Sequence, residues 1–480
     1  MKMSAQSSLF LFLIVLTACT GPNSPLSDDR ETIKPLRTIL VDTAAWPAFN
    51  WAAFDQDKII SYGDFQYTVY WDADKTLVVV RRDLRNDQVQ TLRLEPYQLT
   101  INPEDRHRNI VIGISPGDGR LHLSWDHHAN DLRYTKTREG FLTDPPEEMS
   151  ASDFEPAQPL AEGAPQRVTY PRFINDGNDR LFFVYRSGGS GNGRTVISRY
   201  DHVASAWQVS SGFLFGSEGI YPPWDSSDSR NAYPHDILFD RNNRLHVSWV
   251  FRETGRSWAS NHDLHYAYSD DFGATWMNNN EEKIADLAQG DAIVIDDPGI
   301  VVQEIPVYSW VMNTCPMALD SKGQPHVVTY KLPGTFRPEE LEHNPPDSIY
   351  PQLRFFHYWR DETGAWHDSG PIEMPEGLTI KRPDMIIAED DTIIFTWASN
   401  EGLRSFIARA EDQWREWKLL ELTSPAYTSN NACKHDRRRL KEKGILSFTA
   451  DPNGEKEGSG YAILEFDVKE ILALMKKKRL

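Results

Sequence analysis

An all-β chain folded as a seven-bladed β-propeller is what the sequence predicts, and three observations carry the prediction. A short apolar hairpin recurs along the chain, most plainly in the segments RLHLSWDHH (Arg120 to His128), RLFFVYRSG (Arg180 to Gly188) and RLHVSWVFR (Arg244 to Arg252). The composition is that of strands and turns: 11% of the 480 residues are aromatic, with 29 Gly and 30 Pro punctuating β-branched and aromatic runs, and long amphipathic helical patterns are rare. Finally, Ser269-Asp270-Asp271-Phe272-Gly273-Ala274-Thr275-Trp276 fits a Ser-x-Asp-x-Gly-x-x-Trp turn, in which Asp and Gly shape the bend and Trp packs beneath it.

Taken in order, the chain begins with a processing segment. Lys2 precedes an apolar run, Leu9 to Leu16, that is too short to span a bilayer as a mature helix. Leu16-Thr17-Ala18-Cys19 resembles the bacterial lipobox, in which the cysteine becomes the lipidated first residue. Residues 1–19 are therefore read as a lipoprotein signal peptide, 20–40 as a Ser/Pro/Asp-rich tether, and 41–480 as one propeller domain. This implies an exported bacterial protein anchored to a membrane only through the lipid on Cys19.

The hairpins follow. A weaker copy runs from Tyr67 to Val80. Clear copies run from His107 to Trp125, Tyr170 to Tyr185, Tyr233 to Trp249, Cys315 to Tyr330 and Arg382 to Trp397, and a last one is expected from Arg438 to Thr449 with its turn at Lys441 to Gly444. Each interval leaves room for two more strands, and radially repeated four-stranded units are propeller blades. The octapeptide turn resembles the Asp box of sialidase-like propellers, a structural rather than catalytic device. The C-terminal segment from Val468 is expected to be a short helix ending in cations, Lys476-Lys477-Lys478-Arg479.

A net charge of -19 argues against nucleic acid and acidic membrane surfaces as partners. An anionic substrate then needs a local cationic cluster. Antiparallel pairing supplies a place for one, because the start of a blade's first strand and the end of its second lie on the same rim. The starts place His107, Tyr170, Arg172, Tyr233, His235, Cys315 and Arg382 there; the ends place Asp126-His127-His128, Arg186, Arg252, Glu253 and Lys331. His122 and His246 lie inside strands and are read as core. Arg186 opens a glycine-rich loop, Ser187 to Arg194, with no helix after it to make a nucleotide site. Cys315 and Cys433 are read as unpaired, with separate roles.

Glycoside hydrolysis generally needs two facing carboxyl groups, whereas this rim is mostly His, Tyr and Arg. That set suits β-elimination from a uronic acid: a cation neutralises the carboxylate and acidifies the neighbouring C–H, and His and Tyr move the protons. No redox cofactor is required.

The blocks LHLSWDHHANDLRY, TYPRF…LFFVYRSGGSGNG and AYPHDILFDRNNRLHVSWVFRET…NHDLHYAYSDDFGATW resemble the BNR-repeat family, over roughly Trp46 to Tyr330. That family includes seven-bladed ulvan lyases, which cleave between a sulfated rhamnose and a uronic acid. The resemblance implies an anionic polysaccharide as substrate and a monomer as enzyme. It places His127 or His128 with Tyr170 as the proton-transfer pair, Arg186 and His107 on the uronate carboxylate, and Arg172 and Arg252 on sulfate or uronate. It also implies a structural zinc, with His235, His262 and Cys315 as its candidate ligands and His246 or His265 as replacements. Two other readings remain open at this stage, a sialidase-like hydrolase and a non-catalytic carbohydrate-binding propeller.

Overall fold

The computed structural model describes residues 31–46, 57–100, 105–224, 227–423, 433–452 and 459–476. The stretch read as a signal peptide with a lipobox at Cys19 lies outside the described residues, as do Lys477-Lys478-Arg479. Seven antiparallel sheets stand in chain order as the blades of a propeller. The first pairs Ile59–Tyr62, Phe65–Trp71, Thr76–Asp83 and Val89–Gln98. The second holds Ile110–Ser115, Arg120–Trp125 and Tyr134–Lys136, and the third begins with Val168–Asn175 and Leu181–Ser187. The fourth begins with Asn231–Phe239, Leu245–Arg252 and Asn261–Ser269; the fifth and sixth have their second strands at Pro325–Lys331 and Ile393–Ser399.

The strands are apolar because a blade is covered on both faces by its neighbours. Leu245–Arg252 is buried at every residue. Trp71, Trp249, Trp276, Trp310 and Trp397 are among the largest fully buried side chains. His122 and His246 are core histidines, bonded to the hydroxyls of Tyr134 and Tyr266 at 2.8 and 2.7 Å. In the Asp box, Asp271 accepts from the backbone N–H of Thr275 at 2.8 Å and from the Ser269 hydroxyl at 2.8 Å, over the buried Trp276. Cys315 and Cys433 are both free and buried.

Two boundaries differ from the sequence reading. The propeller already includes Glu31, ahead of the expected boundary at residue 41. Glu31–Thr32 pairs in parallel with Lys418–Glu421 of the sixth blade, and Arg37–Asp42 is the third strand of the seventh. The last hairpin is Ile445–Ala450 with Tyr461–Asp467. The stretch read as its first strand is a helix, α1 (Arg437–Lys443). Asp436 caps it by accepting from the N–H of Arg439 at 3.0 Å, and Gly444 ends it in the left-handed conformation at φ 67°.

The N-terminal strand therefore closes the ring on the C-terminal one. Polar side chains secure the closure against the first blade. Arg82 donates to Glu465 at 2.9 Å with both side chains fully buried, and Arg439 pairs with the same carboxylate. Tyr461 donates its hydroxyl proton to the carbonyl of Val69 at 2.9 Å.

Candidate active site

The rim inferred from strand ends gathers a site over the second, third and fourth blades. In the third blade the pairing slips by one residue between Thr169 and Arg172. Tyr170 sits in this bulge at φ 53°, a conformation that L residues adopt only when held there. The bulge turns the ring out of the sheet. Arg186 lies opposite Thr169 in register, which brings its guanidinium to 4.4 Å from the centre of the Tyr170 ring and 5.3 Å from that of Tyr233. Arg186 is 5% exposed, and its Nε and Nη1 have no protein acceptor.

The glycine-rich loop explains that position. A Cβ on Gly193 would run into the methylenes of Arg186. Ser190 in the same loop shares a 2.9 Å hydrogen bond with the Tyr233 hydroxyl. The loop thus packs the arginine and a second tyrosine.

Tyr233 had been placed on the rim without a role. Arg252 stacks on it at 4.1 Å and donates to its hydroxyl at 3.3 Å. Burial raises the Tyr233 pKa, but Arg252 and Arg186 overcome that and bring it down to about 8. For Tyr170 burial dominates and pushes the hydroxyl up, with Arg186, Arg252 and Arg382 opposing.

The second blade supplies the histidines. His107 and His128 stack face to face with ring centres 3.9 Å apart, and His107 lies 5.8 Å from the Tyr170 ring. Both are partly exposed at the rim. His127 is fully buried: its Nε2 lies 3.1 Å from Ser124 Oγ and 3.3 Å from the N–H of Arg133, and burial draws its pKa down to about 3. Of the adjacent pair, His128 faces the cleft and His127 holds the turn. Burial also draws His107 down to about 4, against the pull of Asp105. Asp105, outside the repeat frame and overlooked in the sequence, accepts from Nδ1 of both His107 and His128 at 2.7 Å.

Other predicted residues have different duties. Arg172 is buried in an ion pair with Asp236 at 2.5 Å. Arg252, besides Tyr233, donates to Asn261 and Asn313 at 2.7 and 3.1 Å. Both are structural cations rather than open anion contacts. The two rim carboxylates are consumed as well. Glu253 forms a two-pronged pair with Arg230, both bonds at 2.8 Å, and Asp126 is fully buried against Arg133 and Arg108.

Among the described residues, His235, His262 and Cys315 do not bring their ligand atoms within 4.8 Å of one another. Glu253 and Asp263 occupy the two ring nitrogens of His262 at 3.0 and 2.9 Å. The Cys315 thiol, its pKa pushed up by burial, accepts from Thr329 at 3.5 Å. His235 Nε2 and both nitrogens of His265 are buried without a hydrogen-bond partner, and among the described residues they and Cys315 do not make a group with all ligand atoms within 4.8 Å of one another. Among the described residues, the only such grouping of three is Asp105, His107 and His128. Its 2.7 Å contacts are hydrogen bonds, with protons between the heavy atoms.

The fold and the rim define a BNR-type propeller with a polar cleft on one rim. The model of the BNR repeat-containing family matches residues 65–371, and the chain belongs to that family. Among curated relatives, the long isoform of an ulvan lyase from Glaciecola sp. (strain KUL10) is 22% identical over 57% of this chain and 31% of its own. The short isoform from Alteromonas sp. (strain LOR) is 23% identical over 51% of this chain and 54% of its own. The alignments thus span about a third to a half of these relatives. The crystal structure of the polysaccharide lyase Uly1 superposes with a TM-score of 0.67 at 15% identity, over 91% of this chain and all of that one. A PL25 ulvan lyase bound to -[GlcA(1-4)Rha3S]- gives 0.59 at 11% identity, over 90% of this chain and 99% of that one. At these identities the superpositions establish the shared seven-bladed fold.

Proposed function

We propose that this chain is a polysaccharide lyase that cleaves a sulfated, uronic-acid-containing polysaccharide of the ulvan type by β-elimination. The observation that carries the reading is Arg186: a buried guanidinium with two unpartnered nitrogens, wedged between two tyrosines beside a histidine. A uronate carboxylate is an anion whose oxygens can take up N–H groups of such a buried guanidinium.

With that charge neutralised, the C5 proton becomes acidic. His107, kept neutral by burial and with its Nδ1–H donated to Asp105, takes the C5 proton at Nε2. The C4–O bond breaks as the C4=C5 double bond forms. Tyr170 gives its hydroxyl proton to the departing oxygen and regains one from His107 through solvent, so no water is consumed. Tyr233, already polarised by Arg252 and Arg186, lies ready to stabilise charge or exchange roles for the opposite epimer. His128 lines the cleft beside His107. The sequence reading made His127 or His128 the base and put His107 on the carboxylate; the contact of His107 with Tyr170 favours His107 as the base.

The burial of Asp126 and Glu253 in ion pairs supports elimination over two-carboxylate hydrolysis. We further propose that lipid on Cys19 anchors the enzyme to a membrane as a monomer. The test is incubation with a panel of uronate polymers, followed by ultraviolet absorbance and mass analysis. Unsaturated uronate ends are expected. Free sialic acid would instead identify a hydrolase, and intact polymer with retained binding would identify a lectin; either outcome sinks the proposal.

A further inference from the structure

We propose that Asp105 is a positioning residue that sets the tautomer of both cleft histidines at once; the inference rests on the lyase reading for its kinetic consequence only. Asp105 Oδ1 lies 2.7 Å from His107 Nδ1, and Oδ2 lies 2.7 Å from His128 Nδ1. A carboxylate can only accept, so each Nδ1 carries the proton. In each neutral ring Nε2 is then the bare nitrogen, on the side away from Asp105. One carboxylate thereby aims two basic nitrogens out of a single stacked pair of rings.

The carboxylate is itself fixed. Arg108 Nε donates to Oδ2 at 3.0 Å, and the N–H of His107 donates to Oδ1 at 3.1 Å. Arg108 is held in turn: Nη1 donates to Asn130 Oδ1 at 3.0 Å, and that same oxygen accepts the N–H of His128 at 2.7 Å. The histidine loop and its orienting acid are thus locked into one network. Burial opposes the charge on Asp105, yet the two histidines hold its carboxyl well below the usual carboxylate range. Among the described residues, charged or titratable groups around the cluster include Asp126 beyond Arg108, 3.6 Å from its Nη1, and Arg186 and Tyr170 on the His107 side.

The assignment separates positioning from binding. Substrate affinity comes from Arg186, which Asp105 does not touch, whereas proton transfer needs a bare Nε2. Asp105→Asn keeps size and one acceptor oxygen but replaces the other with an amide NH2. At least one ring must then lose its Nδ1–H bond and turn to the Nε2–H tautomer. In a serine protease the equivalent loss of tautomer control lowers kcat by about 10⁴-fold. Here the neighbouring ring keeps its partner, and a fall of about 10²- to 10⁴-fold is expected, with KM changed by less than about threefold.

The experiment pairs kinetics with nitrogen-15 NMR of the imidazoles in the full chain. Wild-type His107 and His128 are expected to show Nδ1–H signatures, and Asp105→Asn to convert one or both to Nε2–H while melting like the wild type. An Nε2–H signature for either ring in the wild type would overturn the inference, and needs no mutant to fold. So would an Asp105→Asn enzyme that turns over within about threefold of wild type. Should the wild type cleave no uronate polymer, the lyase reading fails and the tautomer measurement still decides the role of Asp105.

Discussion

Replacing Arg186 with methionine separates function from stability in a way few site variants do. Two of its N–H groups are buried without a protein acceptor. A buried, unsatisfied polar group costs about 1–3 kcal/mol. The free enzyme carries that penalty, and a bound carboxylate relieves it. Truncating one partner of a buried, hydrogen-bonded charge pair costs about 2–5 kcal/mol of binding. At about 1.4 kcal/mol per factor of ten, Arg186→Met should lower kcat/KM by about 30- to 4,000-fold. Methionine fills the slot between the rings of Tyr170 and Tyr233 with an adaptable apolar chain, so the melting temperature should hold or rise. Arg186→Lys should keep the charge, lose the fork and fall in between. Initial rates of unsaturated-product formation and a thermal melt read both effects. Activity within about twofold of wild type in a folded Arg186→Met protein would refute the carboxylate assignment.

Gly193→Ala should reproduce part of that loss without touching a reacting group, because its Cβ displaces the Arg186 side chain; a wild-type kcat/KM would show that the loop yields freely. Spectrophotometric titration should reveal a tyrosine ionising near pH 8, absent from Tyr233→Phe, since Arg252 and Arg186 favour the phenolate. Glu465 has its carboxyl held down to about 2, with Arg82 and Arg439 overcoming burial. A folded-state pKa below the unfolded one gives stability that is present above about pH 4.5 and lost as pH falls towards 2. Glu465→Gln should therefore melt earlier at neutral pH, and the gap to wild type should close as the solution is acidified across that window. Cys19→Ser should release the enzyme from the membrane fraction of an expressing bacterium; continued membrane retention would exclude a lipid on that cysteine as the anchor.

The propeller was legible because each hairpin repeats its own punctuation, an Asp/Asn/Gly turn between apolar runs that end in Trp or Tyr. The seventh copy lacked that punctuation, and there the reading failed. Arg437–Lys443 has no apolar face to announce a helix, and its signals are a single Asp cap and a single Gly stop. The tether was drawn too long for a related reason. Arg37–Asp42 acquires its partner from the far end of the chain, and local sequence does not record that partner. The zinc set rested on residue type and rim position alone. Cysteine and histidine on one rim suggested ligands, but the nitrogens of His262 were already claimed by Glu253 and Asp263.

The choice between His127 and His128 shows why strand logic stops at the rim. On a sheet with one wet face, adjacent residues point to opposite sides, and the alternation of the strand would have chosen between them. A propeller strand has no wet face: in Arg120–Trp125 every residue after the first is buried. The direction is set after the strand ends, where Asp126 at φ 61° and Ala129 at φ 57° break the extended chain and fold His127 back under the turn. Asp126 can hold that conformation because Arg108 and Arg133 clamp its carboxylate. Arg108 also fixes Asp105, the acid that orients His107 and His128. The residue that settles which histidine faces the cleft thus also secures how both are aimed, and neither fact is written in the spacing of the repeat.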